Sequence, residues 1–261
     1  MGRRATTRKR AQAAKRPAFW LVETVRATVF AEDVNVLRLN DWDQIAGAPP
    51  ARKTWTPQSG HSSVGSLPEQ GGVTMIVNVQ NQRADLILTA PAPQGESSDT
   101  LPDIGPLERS LDLLAEHCRA WLPTPRTDLA RLAIGAILMH PAKDASHATQ
   151  IILDWLPELK PQKPVYDLSV QMNLPRQSRI VRELKINRLV QWQTPIIATI
   201  SVGLPTGPQG PITQRTVQVA QCTVDINTDP AVTHIGAQDV DTLLGECAEL
   251  AVAIEQHGLK P

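Results

Sequence analysis

The chain has 261 residues, of which 41% are hydrophobic and 20% charged, with three cysteines and a formal net charge of zero. That is long enough to bury a core without disulfide staples, and the composition is that of an ordinary globular protein. Cys118, Cys222 and Cys247 are odd in number and stand at no metal-ligand spacing, which argues against a secreted disulfide framework and fits a reducing, cytoplasmic compartment. No apolar run approaches the roughly 20 residues that cross a bilayer, and no apolar stretch follows the basic start, so neither a membrane span nor a secretory signal is expected.

The zero net charge hides an asymmetry. Residues 1–17 carry Arg3, Arg4, Arg8, Lys9, Arg10, Lys15 and Arg16 and no acid, which is +7; the remainder holds 19 basic against 26 acidic residues, which is −7. The only apolar side chains before Pro17, Met1 apart, are alanines, so this segment is read as a disordered basic arm. Residues 18–261 are read as a single compact body, divisible into halves at 18–142 and 143–261.

In chain order, Phe19 to Phe30 reads as a strand rich in Val, Thr, Phe and Trp, with imperfect alternation because Glu23 and Arg26 fall on opposite faces. A short helix follows from Asp41 to Ile45 with Asn40 as its cap, and the polar stretch 48–71 reads as a long loop with an edge strand near Thr54–Thr56. Val73–Gln80 and Ala84–Ala90 form a hairpin around Asn81-Gln82. The Pro-, Gly- and Ser-rich stretch 91–105 is a second long loop. Pro106 then opens an amphipathic helix at its first position, with Leu107, Leu111, Leu114, Cys118 and Trp121 on one stripe.

Leu132–His140 is a continuous apolar run that suits a strand covered on both faces. Ser146 caps a helix through Trp155. Strands follow near Tyr166–Asn173, Glu183–Trp192, Ile196–Val202 and Arg215–Ile226, with a Gly- and Pro-rich linker at 203–214. A final helix spans 237–257, with Gly258 as terminator. The order β-α-β-β-α-β, then α-β-β-β-β-α, indicates an α+β fold, a mostly antiparallel sheet with helices on one face, and it admits two ferredoxin-like (split βαβ) halves.

The chemistry-bearing motifs are weak. Asp225, Asn227 and Asp229 have the 1, 3, 5 spacing of a calcium loop, but Pro230 and Gly236 stand where glycine and a bidentate glutamate are needed, so a strand end is expected there. His61, His117, His140, His147, His234 and His257 form no metalloprotease pair and have no cysteine at zinc spacing. His140 and His147 flank one turn. No G-x-S-x-G elbow and no glycine-rich phosphate loop are present, and Cys118 and Cys247 fall on apolar helix stripes. The acids of Asp41-Trp42-Asp43 and Asp239-Val240-Asp241 suit helix starts. No metal, cofactor or catalytic residue is therefore expected, and the reading leans away from an enzyme. A site hidden in the loops 48–71 and 91–105, joining His61, Asp41 or Asp43 and an arginine, is the enzymatic alternative.

Two basic sets are candidate contacts for nucleic acid or a protein partner. One is the arm, whose charges displace counterions from phosphates without needing a fold. The other is Arg176, Arg179, Arg182, Lys185 and Arg188, whose spacing of three alternates faces on a strand and so forms no single stripe. Trp20, Trp42 and Trp55 would be buried contacts in a homo-oligomer, the structural alternative.

The strings Val22 to Phe30 (Val-Glu-Thr-Val-Arg-Ala-Thr-Val-Phe), Arg131 to Ala136 (Arg-Leu-Ala-Ile-Gly-Ala) and Leu184 to Trp192 (Leu-Lys-Ile-Asn-Arg-Leu-Val-Gln-Trp), with the closing helix, resemble a sporadically distributed family of bacterial proteins without a known activity. That resemblance implies an accessory or mobile-element setting and no catalytic residues. The expectation is a non-enzymatic binding or assembly protein in a bacterial or phage complex associated with nucleic acid.

Overall fold

The computed structural model describes residues 20–31, 42–56, 60–91, 101–122, 128–161, 165–202, 212–231 and 234–258. The basic arm lies outside the described residues, as do Asp41 and most of the segments 91–105 and 203–214. The elements are β1 (Leu21–Phe30), α1 (Trp42–Ala46), β2 (Arg52–Thr56), β3 (Gly60–Leu67), β4 (Val73–Gln80), β5 (Arg83–Thr89), α2 (Leu107–Trp121), β6 (Arg131–Ala142), α3 (Ala145–Trp155), β7 (Ser169–Asn173), β8 (Arg176–Gln177), β9 (Lys185–Gln193), β10 (Ile196–Val202), β11 (Ile212–Thr228) and α4 (Val240–His257). All the strands join one sheet, in the order β2-β3-β4-β5-β1-β6-β11-β9-β7, with β10 beside β11 and β8 beside β9. Every pairing is antiparallel. The fold is α+β, as expected.

The sheet continues across residue 142, because β6 pairs with β11 from Ala133↔Asn227 to Ala142↔Gln218. β7, β9 and β11 form a meander that runs back onto β6. Strand β6 therefore has a neighbour on each side, and its continuous apolar run is what a central strand needs. The irregular alternation of β1 has a cause: the register against β6 slips between Val22 and Thr24, so Glu23 is the extra residue of a bulge.

The helices gather on one face. Leu107, Leu111, Leu114, Cys118 and Trp121 of α2, Ile151 and Ile152 of α3, and Leu243, Leu244, Cys247, Leu250 and Ile254 of α4 are buried in one core with Val25, Ala27, Leu86, Leu88, Leu138, Trp192 and Val224 of the strands. Trp20 and Trp42 belong to this core at 7% and 5% exposure, so they are not contacts held for a partner; Trp55 alone of that trio is open, at 61%. No helix among the described residues is long and apolar enough to cross a membrane.

Three boundaries differ from expectation. Pro106 is the N-cap of α2 rather than its first residue, with extended backbone (φ −58°, ψ 139°) and its carbonyl accepting from the Ser110 hydroxyl at 3.0 Å. Helix α3 is capped by Asp144, whose carboxylate accepts the His147 N–H at 2.8 Å, so Ser146 sits inside the first turn. The stretch 48–71 is not a long loop: the expected edge strand is β2, it pairs with β3, and a short 3-10 turn at Pro68–Gln70 leads from β3 into β4. Strand β3 hides because Gly65 takes a core-facing place opposite Met75. The Trp42 ring fills that place, and a Cβ on Gly65 would lie 2.6 Å from Cζ2 of Trp42. Apolar patterning sees a glycine where the core receives an indole from elsewhere.

Strands β9 and β10 are two parts of one long run antiparallel to β11, joined at Thr194-Pro195. Proline removes a donor there, and the Gln218 side-chain amide donates instead to the Thr194 and Pro195 carbonyls at 2.9 and 3.2 Å.

Leu114 is fully buried where α2 meets the sheet. Leu114→Ala is expected to cost roughly 2–5 kcal/mol through lost burial and the cavity left behind. In urea unfolding the midpoint should fall at an unchanged m-value.

Candidate binding face

Because successive strand residues point to opposite faces, the register fixes which side chains stand on the face without helices. One row across five strands reads Ile87, Arg26, Gly135, Asp225 and Leu189. The next reads Asp85, Thr28, Ala133, Asn227 and Asn187, and beyond it come Arg83, Phe30 and Arg131.

Polar groups in these rows satisfy one another. The Thr28 hydroxyl donates to Asp85 Oδ1 at 2.5 Å, and Arg83 grips both Asp85 oxygens, Nε and Nη2 each at 2.9 Å. The bidentate geometry makes this a strong pair as surface pairs go. The Arg83 and Arg131 guanidinia lie over the Phe30 ring, 5.8 and 5.5 Å from its centroid. Arg131 Nη2 donates to Asn227 Oδ1 at 2.8 Å, Asn227 Nδ2 to Asp225 Oδ1 at 2.8 Å, and Asn187 Nδ2 to Asn227 Oδ1 at 3.2 Å. Asp225 and Asn227 are thus strand residues tied to each other, not the start of a calcium loop.

Arg26 stands in the first of these rows and, like Arg131, has a buried Nε without a hydrogen-bond partner. Its guanidinium lies across Gly135, where a Cβ would stand 3.5 Å from Nη2 and 3.6 Å from Nε. Among the described residues no acid pairs with it. A Cβ at Gly135 would be in ordinary van der Waals contact with the guanidinium, so the arginine rests directly on this small position.

Charge is segregated between the two layers. On the helix-free face the described strands place Arg26, Arg52, Arg83, Arg131 and Lys185 against Asp85 and Asp225. The helices α2, α3 and α4 carry Glu108, Asp112, Glu116, Asp154, Asp241, Glu246, Glu249 and Glu255 against Arg109 and Arg119. Among the described residues the helices thus carry an acidic excess and the helix-free face of the strands a basic one, while Lys53, Arg176 and Arg188 stand on the helix side.

The predicted set 176–188 is divided. Arg179 is bound to acid: its backbone N–H donates to Glu246 Oε1 at 3.0 Å, its Nε to the same oxygen at 3.3 Å, and its Nη2 to Glu249 Oε2 at 2.5 Å. Those carboxylates hold its guanidinium above the usual range. Arg188 points to the helix side of β9 and donates to the Leu174 carbonyl at 2.8 Å; burial, then the neighbouring Arg176, lowers its pKa. Arg182 and Lys185 are exposed, and Lys185 alone of the five shares the face of Arg26. The arm residues Arg3, Arg4, Arg8, Lys9, Arg10, Lys15 and Arg16 lie outside the described residues.

Nucleophile and metal chemistry find no support among the described residues. All three thiols are buried; burial pushes Cys247 up to about 12 and Cys222 higher still. No group of three or more His, Cys, Asp or Glu is placed to hold a metal. His117 is buried on α2, and desolvation lowers its pKa. His140 Nδ1 meets the Pro141 carbonyl, whereas His147 Nδ1 accepts the Lys143 N–H, so the two bond to different partners. His61 stands beside Trp55, 6.2 Å between rings.

No family model, no curated protein and no solved structure matches this chain.

Sequence reasoning singled out neither Arg26 nor Gly135. The available signals were a glycine inside the most apolar run of the chain and an arginine among the threonines of β1.

The carboxylate of Glu246 is the buried end of the Arg179 clamp, and it also accepts the Ser178 hydroxyl at 2.7 Å. Burial alone pushes its pKa up. The Arg179 N–H, the Ser178 hydroxyl and the Arg179 guanidinium together outweigh that and leave it below the usual value of 4.5. A depressed folded pKa adds stability that is present above the unfolded value and lost as pH falls through the folded one. Glu246→Gln should therefore lower the melting temperature at pH 7, and the gap from the native chain should close as pH drops below about 4. Paired melting curves from pH 7 to 3 check this.

Proposed function

We propose that the chain is a non-enzymatic binding and assembly protein, a component of a bacterial or phage complex associated with nucleic acid, acting in the cytoplasm. The observation that carries this reading is the segregation of charge. A chain neutral overall turns a basic sheet face one way and acidic helices the other, and it carries seven further cations in residues 1–17. Phosphates are bound by such charges without any fixed pocket, because counterion release drives the association.

The same face argues for backbone contact rather than base reading. Phe30 lies under two guanidinia, so its ring is not an open stacking platform for bases. Arg52 and Lys185 are the exposed cations of this face, and Arg26, partly buried, has no ion pair among the described residues. The resemblance to sporadically distributed bacterial proteins is in keeping with an accessory role of this kind.

The scaffold is consistent with a ferredoxin-like unit in the first half. The order β6-β1-β5-β4 is the 4-1-3-2 arrangement of a split βαβ, with α2 between its third and fourth strands and the β2–β3 hairpin inserted after α1.

The test is fluorescence anisotropy with labelled single- and double-stranded oligonucleotides across a salt series. It compares the native chain with a full-length variant whose seven arm cations are Gln, and with Arg26→Gln/Arg131→Gln. The native chain should bind at low salt with a steep negative slope of log K on log salt. Each phosphate contact removed flattens that slope by about 0.9 on duplex and about 0.7 on single strands. The arm variant should lose several units and the face variant one or two, without preference for sequence. No binding at low salt, or a slope indifferent to both variants, would end this reading.

A further inference from the structure

Strands β11, β9 and β7 turn a surface of one chemical kind to the helix-free side. The rows that cross them, from Gln221↔Gln193↔Ser169 to Asn227↔Asn187, hold eleven positions there, and seven of these are amides. Strand β11 contributes Gln221 and Asn227, and β7 contributes Gln171 and Asn173. Between them, β9 contributes Asn187, Gln191 and Gln193. The other four positions are Ser169, Thr223, Leu189 and Asp225. Alternation puts them all outward, because Met172, Val190, Trp192 and Val224 of the same strands turn to the core.

Strands disfavour asparagine, and no packing gain calls for it on this side. A local preference overruled in this way points to function. The amides brace one another. Gln191 Nε2 donates to Gln193 Oε1 at 3.4 Å, Asn173 Nδ2 to Asn187 Oδ1 at 3.2 Å and Gln221 Nε2 to Thr223 Oγ1 at 3.2 Å. Asp225, the one charge in the field, accepts from Asn227 Nδ2 at 2.8 Å. An amide has two N–H donors and a carbonyl with two lone pairs, and each of these bonds uses one N–H. Gln171 and Asn173 are exposed, and Gln191, Gln193 and Gln221 are half-exposed, so oriented donors and acceptors face outward over three strands.

We propose that this amide field receives the unpaired bases of a single-stranded nucleic acid whose phosphates lie on the basic part of the same face. The inference rests on the nucleic-acid reading above and names the form of nucleic acid. Two features choose the occupant. The first is continuity with the cations: Arg26, Gly135, Asp225, Leu189 and Asn173 share one row, and Arg131 is bonded to Asn227. Two strand spacings, about 10 Å, separate β1 from β11, comparable to the span of a nucleotide from phosphate to base edge. An anion is held on one side, and its neutral hydrogen-bonding part falls on the other. The second feature is the chemistry of the amides. Base edges carry donors and acceptors side by side, as amides do, and their Watson–Crick edges are open only where bases are unpaired. A duplex keeps those edges paired, and its major groove, about 12 Å wide, admits a helix or a two-stranded ribbon but not the middle of a broad sheet. Every base offers a donor or an acceptor, so the amides select single strands without reading their sequence.

The test is the variant Gln171→Thr/Gln191→Thr, which removes two amides and leaves side chains that strands accept. Anisotropy compares it with the native chain on a mixed-sequence single strand, on the corresponding duplex and on labelled inorganic polyphosphate, across one salt series. The native chain should hold the single strand more tightly than the duplex at equal salt. Two hydrogen bonds of ordinary net strength correspond to about tenfold in affinity. The variant should lose that factor on the single strand with the slope of log K on log salt unchanged, and should bind duplex and polyphosphate as the native chain does. Melting curves of the two chains should coincide. A native chain that binds none of the three probes ends the nucleic-acid reading, and this inference with it. A chain that binds with the expected salt slope but holds the duplex as tightly as the single strand overturns this inference alone. So does a single-strand affinity that ignores the two substitutions. Equal losses on all three probes also overturn it, since the amides would then serve the shape of the sheet and touch no base.

Discussion

An antiparallel strand must send alternate side chains to two faces, and this sheet has helices for only one of them. That mismatch organises the rest of the molecule. On the covered side, register after register places Val, Leu, Ile and Trp under α2, α3 and α4. On the other side the same strands have to end in water, or against something else, and they do so with Thr, Asn, Gln and arginines that bond to one another. A face about 40 Å across, from eight steps of about 4.8 Å along the nine-strand path, is broad for a surface left without a second layer.

The polar rows explain how β6 can be both central and nearly all apolar. Its Leu132, Ile134, Ala136 and Leu138 belong to the core, and its opposite side is kept small at Ala133 and Gly135. A long side chain from β1, that of Arg26, lies over one of these positions, Gly135, and the Arg131 of β6 itself reaches across to Asn227 of β11. Gly135 is the floor on which Arg26 rests.

Much of the scaffold was legible in the sequence, for identifiable reasons. The stripe from Leu107 to Trp121, the β4–β5 hairpin and the apolar run of β6 declare themselves by period, because each buries its own side chains in the core. Asn81 takes φ +49°, which asparagine tolerates, so that turn is legible too. What stayed hidden depends on residues distant in sequence. Strand β3 shows little alternation because Trp42 fills the space over Gly65, and the cap of α3 moved to Asp144 because a carboxylate two residues earlier reached the His147 N–H. The binding face was less legible than the core. The alternation that identifies a strand does not say which of its basic residues will face an acid across the sheet. Arg179, which looked available, is clamped by Glu246 and Glu249, whereas Arg26, in phase with Thr24 and Thr28, has no ion pair among the described residues.

The position of β6 has a consequence for how the chain comes off the ribosome. Residues 131–142 gain their first neighbour, β1, at once, but the second edge waits until residues 218–227 have been made. Through that interval the most apolar strand of the protein presents a bare row of N–H and C=O groups. Non-local pairing of this kind is slow to close and open to misassociation meanwhile. The meander β7–β9–β11 follows directly, and its long hairpin folds locally, so the last strand reaches β6 already backed by β9.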